Sequence, residues 1–170
     1  MLPIEGAWSS ADGLAIGRNC TPVKIAALTY YDLALAGRTL MLCPVDGGAI
    51  ATYRDSFRLA AQTGELMLDG ALAQTPTRIA ASRAVLRYPG PFQLDDLTAI
   101  IGPDDSAVRL SASGLTGTID DTIGGTFEGG TAALDIVPLD LSDLSGTWSY
   151  EDSVLSVGEG SFTLAERTGG

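Results

Sequence analysis

The sequence predicts an all-β protein, an antiparallel meander of hairpins forming a curved, open, elongated sheet. Three observations carry that expectation. Apolar residues alternate with small or polar ones in short runs, turn-forming residues separate the runs at close intervals, and one phrase returns near the two ends of the chain. A closed barrel or a sandwich is the alternative way for such strands to bury an apolar face.

The alternation is clearest where leucines skip a position. In Tyr31-Asp32-Leu33-Ala34-Leu35 the large residues fall at odd positions, and Leu66, Leu68 and Leu72 fall on one side of segment 65–73. Val108 and Leu110 oppose Arg109 and Ser111, Leu134 and Ile136 alternate with Asp135, and Leu155 and Val157 alternate with Ser156. Successive side chains of an extended chain point to opposite faces, so each run is a strand with one apolar face. Thr39-Leu40-Met41-Leu42-Cys43 is apolar almost throughout, as in a strand covered on both faces.

Turn chemistry separates these runs: Asp12-Gly13, Ala36-Gly37, Asp46-Gly47-Gly48, Thr63-Gly64, Pro89-Gly90-Pro91, Gly102-Pro103-Asp104-Asp105, Gly124-Gly125 and Gly129-Gly130. Glycine supplies positive φ, proline presets φ, and aspartate bonds its own backbone. Such close spacing favours hairpins over crossovers and predicts about a dozen strands. Segment 76–88 is ambiguous. Ile79, Arg83 and Leu86 fit a helix capped by Thr75, whereas Ile79, Ala81 and Val85 fit a strand, which is the preferred reading.

The repeated phrase is Ile4-Glu5-Gly6-Ala7-Trp8-Ser9-Ser10-Ala11-Asp12, answered by Leu144-Ser145-Gly146-Thr147-Trp148-Ser149-Tyr150-Glu151-Asp152. Gly, Trp, Ser and Asp recur at the same offsets, and these are the only two tryptophans. The repeat suggests a strand that buries its Trp and then turns at Asp. Repetition at a fixed interval, here about 140 residues, marks an array. The expected division is residues 1–143 as one β-groove unit and 144–170 as the opening hairpin of a second, with the boundary near 141–144.

Composition narrows the function. The chain has 170 residues and a net charge of −11, which excludes a phosphate-backbone partner and disfavours docking on an anionic leaflet. No run approaches 18 uninterrupted apolar residues, so no membrane-spanning helix is expected. There is no histidine, which removes Ser-His-Asp and Cys-His machinery and imidazole metal sites. An enzyme would depend on carboxylates or on Lys24, the only lysine, and none is expected. The pairs Asp95-Asp96, Asp104-Asp105 and Asp120-Asp121 match no calcium loop and read as turns. Gly124-Gly125 and Gly129-Gly130 precede no helix, so they do not read as a phosphate loop. No catalytic residue, metal or cofactor is expected. Cys20 and Cys43 fit either a disulfide or two buried thiols.

The phrase from Leu144 to Leu155 resembles the repeats of the AsmA-like, TamB-like and YdbH-like envelope proteins, in which a Leu, a small residue and Gly precede an aromatic, a polar turn and an apolar strand. The stretches 109–119 and 66–72 read the same way, and 33–44 is most similar to the YdbH-like branch. The resemblance implies repeating antiparallel strands curled into an open groove. It also implies a longer protein, held at the inner membrane and crossing the periplasm, that carries phospholipid between the two membranes. This chain would be an internal segment on the periplasmic face, with phospholipid acyl chains and neighbouring repeats as partners.

The physical rationale stands beside the resemblance. An exposed methylene costs about 0.8 kcal/mol in water, so a chain of roughly 16 carbons forfeits on the order of 12 kcal/mol without an apolar track. The expected groove-lining residues are Leu33, Leu35, Leu40, Leu42, Leu66, Leu68, Leu72, Val108, Leu110, Leu134, Ile136, Leu155 and Val157. A segment of such a groove has open sheet edges, and residues 144–165 are expected to seek a partner strand and drive self-association.

Overall fold

The structure, a computed structural model, describes residues 6–11, 13–30, 32–134, 139–152 and 154–166. It contains sixteen strands and, among the described residues, no helix. In chain order they are β1 Gly6–Ser9, β2 Gly13–Ile16, β3 Thr21–Ile25, β4 Leu28–Tyr30, β5 Leu33–Leu35, β6 Arg38–Pro44, β7 Ala51–Tyr53, β8 Phe57–Thr63, β9 Leu66–Leu72, β10 Thr75–Ala81, β11 Arg83–Tyr88, β12 Gly90–Ile101, β13 Val108–Ile119, β14 Ile123–Leu134, β15 Leu139–Glu151 and β16 Val154–Glu166. All sixteen join one open antiparallel sheet. Neither the barrel nor the two-sheet sandwich forms, because among the described residues β1, β4 and β16 end the sheet without pairing with one another.

From β12 onward the meander is regular. Ile101 opposes Val108, Ile119 opposes Ile123, and Glu151 opposes Val154. The same logic holds earlier, with each long strand split in two. Thr63 opposes Ala84 and Leu66 opposes Ala81, so β8 and β9 face β11 and β10 in a single register. Ala73 and Gln74, both at positive φ (47° and 69°), close that hairpin as a type I′ turn requires. β5 and β6 follow β9 and β8 in the same way, through Leu35 with Gly70 and Pro44 with Ala61. Between those contacts β6 leaves the edge of β8 and pairs with β3.

A transverse crease crosses the strands near their midpoints. Asp96, Gly129, Asp143 and Glu159 take positive φ of 48°, 59°, 53° and 47° there. The register slips beside them, between Phe127 and Gly130 and between Ser142 and Ser145. Bulges of this kind bend a strand and re-aim its side chains. Ser82 breaks β10 from β11 at the same level. Ala81 and Ala84, three positions apart, therefore both reach the apolar cluster around Leu40 and Leu66.

The re-aiming keeps one face apolar from end to end. Leu68, Ile79, Ala99, Leu110, Ala132, Leu141 and Leu164 stand side by side in one row across seven strands. Leu94, Leu115 and Phe127 form a parallel row beyond the crease. The opposite face is hydroxyl-rich, with cross-strand bonds Ser111–Thr131 at 2.6 Å, Thr116–Thr126 at 2.9 Å and Ser145–Ser161 at 3.1 Å. Such pairs are the unit of sheet stabilisation.

Several local expectations change. Segment 76–88 is strand, as β10 and β11, but Val85 lies on the face opposite Ala84 and Leu86 rather than with Ile79. The apolar run at 39–43 is covered on one side only: Leu40 is buried whereas Met41 is 52% exposed. Gly124-Gly125 and Gly129-Gly130 lie inside β14 and not in turns. Trp8 is not buried but 74% exposed, while Trp148 is half-buried. Positions 141–144 fall within β15, so the repeated phrase begins in mid-strand. Asp12 lies outside the described residues. Cys20 and Cys43 form a disulfide that pins the start of β3 to the end of β6.

Candidate functional site: an uncovered apolar face and its groove

A one-layer sheet leaves its apolar face without a cover. Among the described residues no large side chain is fully buried, and the buried cluster is Leu40, Leu66 and Ala81 with Leu42, Leu68, Ala84 and Leu94 packed against it. Domains ordinarily bury such a face against a second layer. Here the side chains lie open on β16 above all, where Leu155, Val157 and Phe162 are each 63% exposed.

At the N-terminal end the face deepens into a groove of about 350 Å³. It forms where residues of β3, β4, β5 and β6 line a hollow together with residues of β8, β9 and β11. Leu35, Leu40, Leu42, Leu66 and Leu68, all expected to line a groove, converge there. Sequence reasoning did not single out Ile25, Leu28, Leu59, Ala61, Ala84 and Leu86, which complete the wall. Ile25 and Leu28 lie on the short strands β3 and β4, and Ala84 and Leu86 follow the change of face at Ser82.

The other expected positions share the face without entering the groove. Leu33 and Leu72 oppose each other on β5 and β9. Val108 opposes Leu134, Leu110 opposes Ala132, Leu155 opposes Tyr150, and Val157 opposes Trp148. Ile136 lies outside the described residues.

Polar groups are nearly absent from the groove. Its lining holds Gln62, Thr63 and a single charged residue, Arg38. The Gln62 amide is tied back, donating through Nε2 to the Pro44 carbonyl at 3.1 Å and accepting from Arg83 Nη2 at 3.0 Å. Asp69, the carboxylate nearest Arg38, is engaged by Arg78, whose Nε donates to Asp69 Oδ1 at 2.8 Å. That bond, and the charge of Asp69, hold the Arg78 guanidinium above its ordinary pKa. Arg38 itself stands 3.9 Å from Asp69, the outer limit of an ion pair. A second, more polar cleft of about 330 Å³ lies between β6 and the β8–β9 turn, lined by Thr39, Met41, Gly64, Glu65 and Met67 with Arg38 and Leu40 at its edge.

Among the described residues no three metal-ligating side chains cluster, and no helix is long and apolar enough to cross a membrane. The arrangement therefore offers one chemical resource in quantity, which is apolar surface whose backbone groups are already satisfied within the ladder. Comparisons with protein-family models, with curated proteins and with solved structures gave no match.

Proposed function

We propose that the uncovered face shields lipid acyl chains from water. The observation that carries the reading is the unbroken apolar row from Leu68 to Leu164, which no second layer among the described residues covers. Each methylene laid on such a surface recovers about 0.8 kcal/mol. The hydroxyl-rich opposite face keeps the sheet in water, and no catalytic group is needed. Together with the resemblance to AsmA-like, TamB-like and YdbH-like repeats, this reading makes the chain an internal segment of a periplasmic bridge that conducts phospholipid between membranes.

Lipid extraction and photocrosslinking test it. The purified protein should carry phospholipid and should crosslink to an acyl chain bearing a photoreactive group. Leu110→Asp, on the half-exposed part of the row, should abolish crosslinking on β13 while leaving the strand content unchanged. A protein that is lipid-free and does not crosslink overturns the reading and leaves a ligand-free structural module.

A further inference from the structure

The groove at the N-terminal end differs from the rest of the apolar face in two ways. It has walls on several sides, and it has one fixed cation at its rim. Arg38, Leu40 and Leu42 alternate along β6, so they share the groove face, and Arg38 opposes the groove-lining Ile25 on β3.

We propose that this groove is a discrete site for one acyl chain ending in a carboxylate, a fatty acid, with Arg38 holding the anionic end. The inference rests on the acyl-shielding reading and adds a head-group preference and a chain count to it. The volume of about 350 Å³ lies at the small end of the roughly 300–1,000 Å³ usual for ligand sites, which suits one chain and not two. The rim fits an anion on chemical grounds. In a chain of net charge −11 a carboxylate is repelled in general and needs a local cation. Arg38 supplies one, its guanidinium fork matches a carboxylate through two parallel hydrogen bonds, and it stands 3.9 Å from Asp69 Oδ2, a carboxylate whose Oδ1 already accepts from Arg78 at 2.8 Å. The acyl chain then runs inward between Leu40, Leu42, Leu66 and Leu68, where the lining is almost wholly apolar.

Isothermal titration of the delipidated protein with decanoate and with decanol separates head from tail. Decanoate should bind about fivefold more tightly than decanol, the scale of a half-exposed charge pair, and the advantage should shrink as salt rises. Arg38→Gln should bring decanoate down to the level of decanol without moving decanol itself. Arg38→Lys, which keeps the charge, should retain most of the preference and guards against a folding artefact. Equal binding of both probes, unaffected by Arg38→Gln, overturns the carboxylate site and leaves the acyl reading standing. Binding of neither probe overturns both.

Discussion

The rings of Phe92 and Trp148 lie 6.0 Å apart and tilted by 59°, although β13 and β14 separate their strands. They meet because the two positions between them in the same row are Gly117 and Gly125. The Phe92 ring occupies the space a Gly117 side chain would fill, and the Trp148 indole reaches over β14 to donate from Nε1 to the Thr116 carbonyl at 3.1 Å. The protein thus roofs one row of its own apolar face and leaves the leucine rows open.

Gly117→Val tests that roof. A Cβ at residue 117 would lie 2.7 Å from the Phe92 ring and 2.9 Å from the Gly124 carbonyl oxygen, and the latter is backbone. Overpacking of this kind costs about 1–3 kcal/mol, more than the gain of under about 1 kcal/mol from replacing Gly by a β-former. The urea midpoint should fall, and the Trp148 emission should shift to the red as the ring lifts. A second substitution, Phe92→Leu, should recover only part of the loss, because the clash with the Gly124 carbonyl remains.

The disulfide ties together the two strands of the β3–β6 ribbon beside the groove. Cys20 and Cys43 are 23 residues apart, and a loop of that size is worth about 3 kcal/mol in the chain-entropy account. Replacing both by Ser should lower unfolding free energy by about 2–4 kcal/mol. Native-state hydrogen exchange should rise first in β3 and β6, the two strands the bridge joins. Uniform acceleration over all strands would show that the ribbon is not separately held.

How far the sequence could be read is clearest at Ser82. Alternation identified the strands and set Leu33 with Leu35 and Leu66 with Leu68 on one face, because period two is the direct consequence of an extended backbone, whereas the unbroken apolar run at 39–43 hid which side of β6 is covered. The crease was not legible. Where the chain changes face, the apolar step lengthens from two to three, from Ala81 to Ala84, and a step of three mimics a helical period. That is why segment 76–88 fitted both a helix and a strand. Nor do Asp96, Asp143 and Glu159 announce positive φ as a glycine would. The exposure of Trp8 escaped for a different reason: its hairpin β1–β2 has only four residues in each strand, too few for alternation to show which side is covered.

Among the described residues β16 pairs only with β15, leaving an edge of 13 residues on which Val154, Phe162 and Leu164 are exposed. Unpaired edges of that length and apolarity template pairing with another chain. Sedimentation velocity should show dimers accumulating as concentration rises. Ser156→Lys with Thr163→Lys, both on the hydroxyl-rich face, should return the protein to monomer, because an antiparallel self-pair brings like charges opposite each other. Monomer at all concentrations in the parent protein would mean that the edge is protected in solution.

The crease residues should respond in opposite directions to the same substitution. An L-residue at φ near +50° costs about 1–2 kcal/mol that glycine avoids. Glu159, at φ 47°, has no side-chain hydrogen bond that offsets this cost, so Glu159→Gly should raise stability by about 0.5–1 kcal/mol. Asp96, at φ 48°, accepts from Ser82 Oγ at 2.7 Å and ties β12 to the break between β10 and β11. Asp96→Gly relieves the same backbone cost but removes that bond, a loss of about 0.5–1.5 kcal/mol, and should be neutral or destabilising. Chemical denaturation of the two variants checks the contrast. Equal stabilisation of both would show that the Ser82–Asp96 bond contributes nothing, and destabilisation by Glu159→Gly would show that the bulge at residue 159 is not formed in solution.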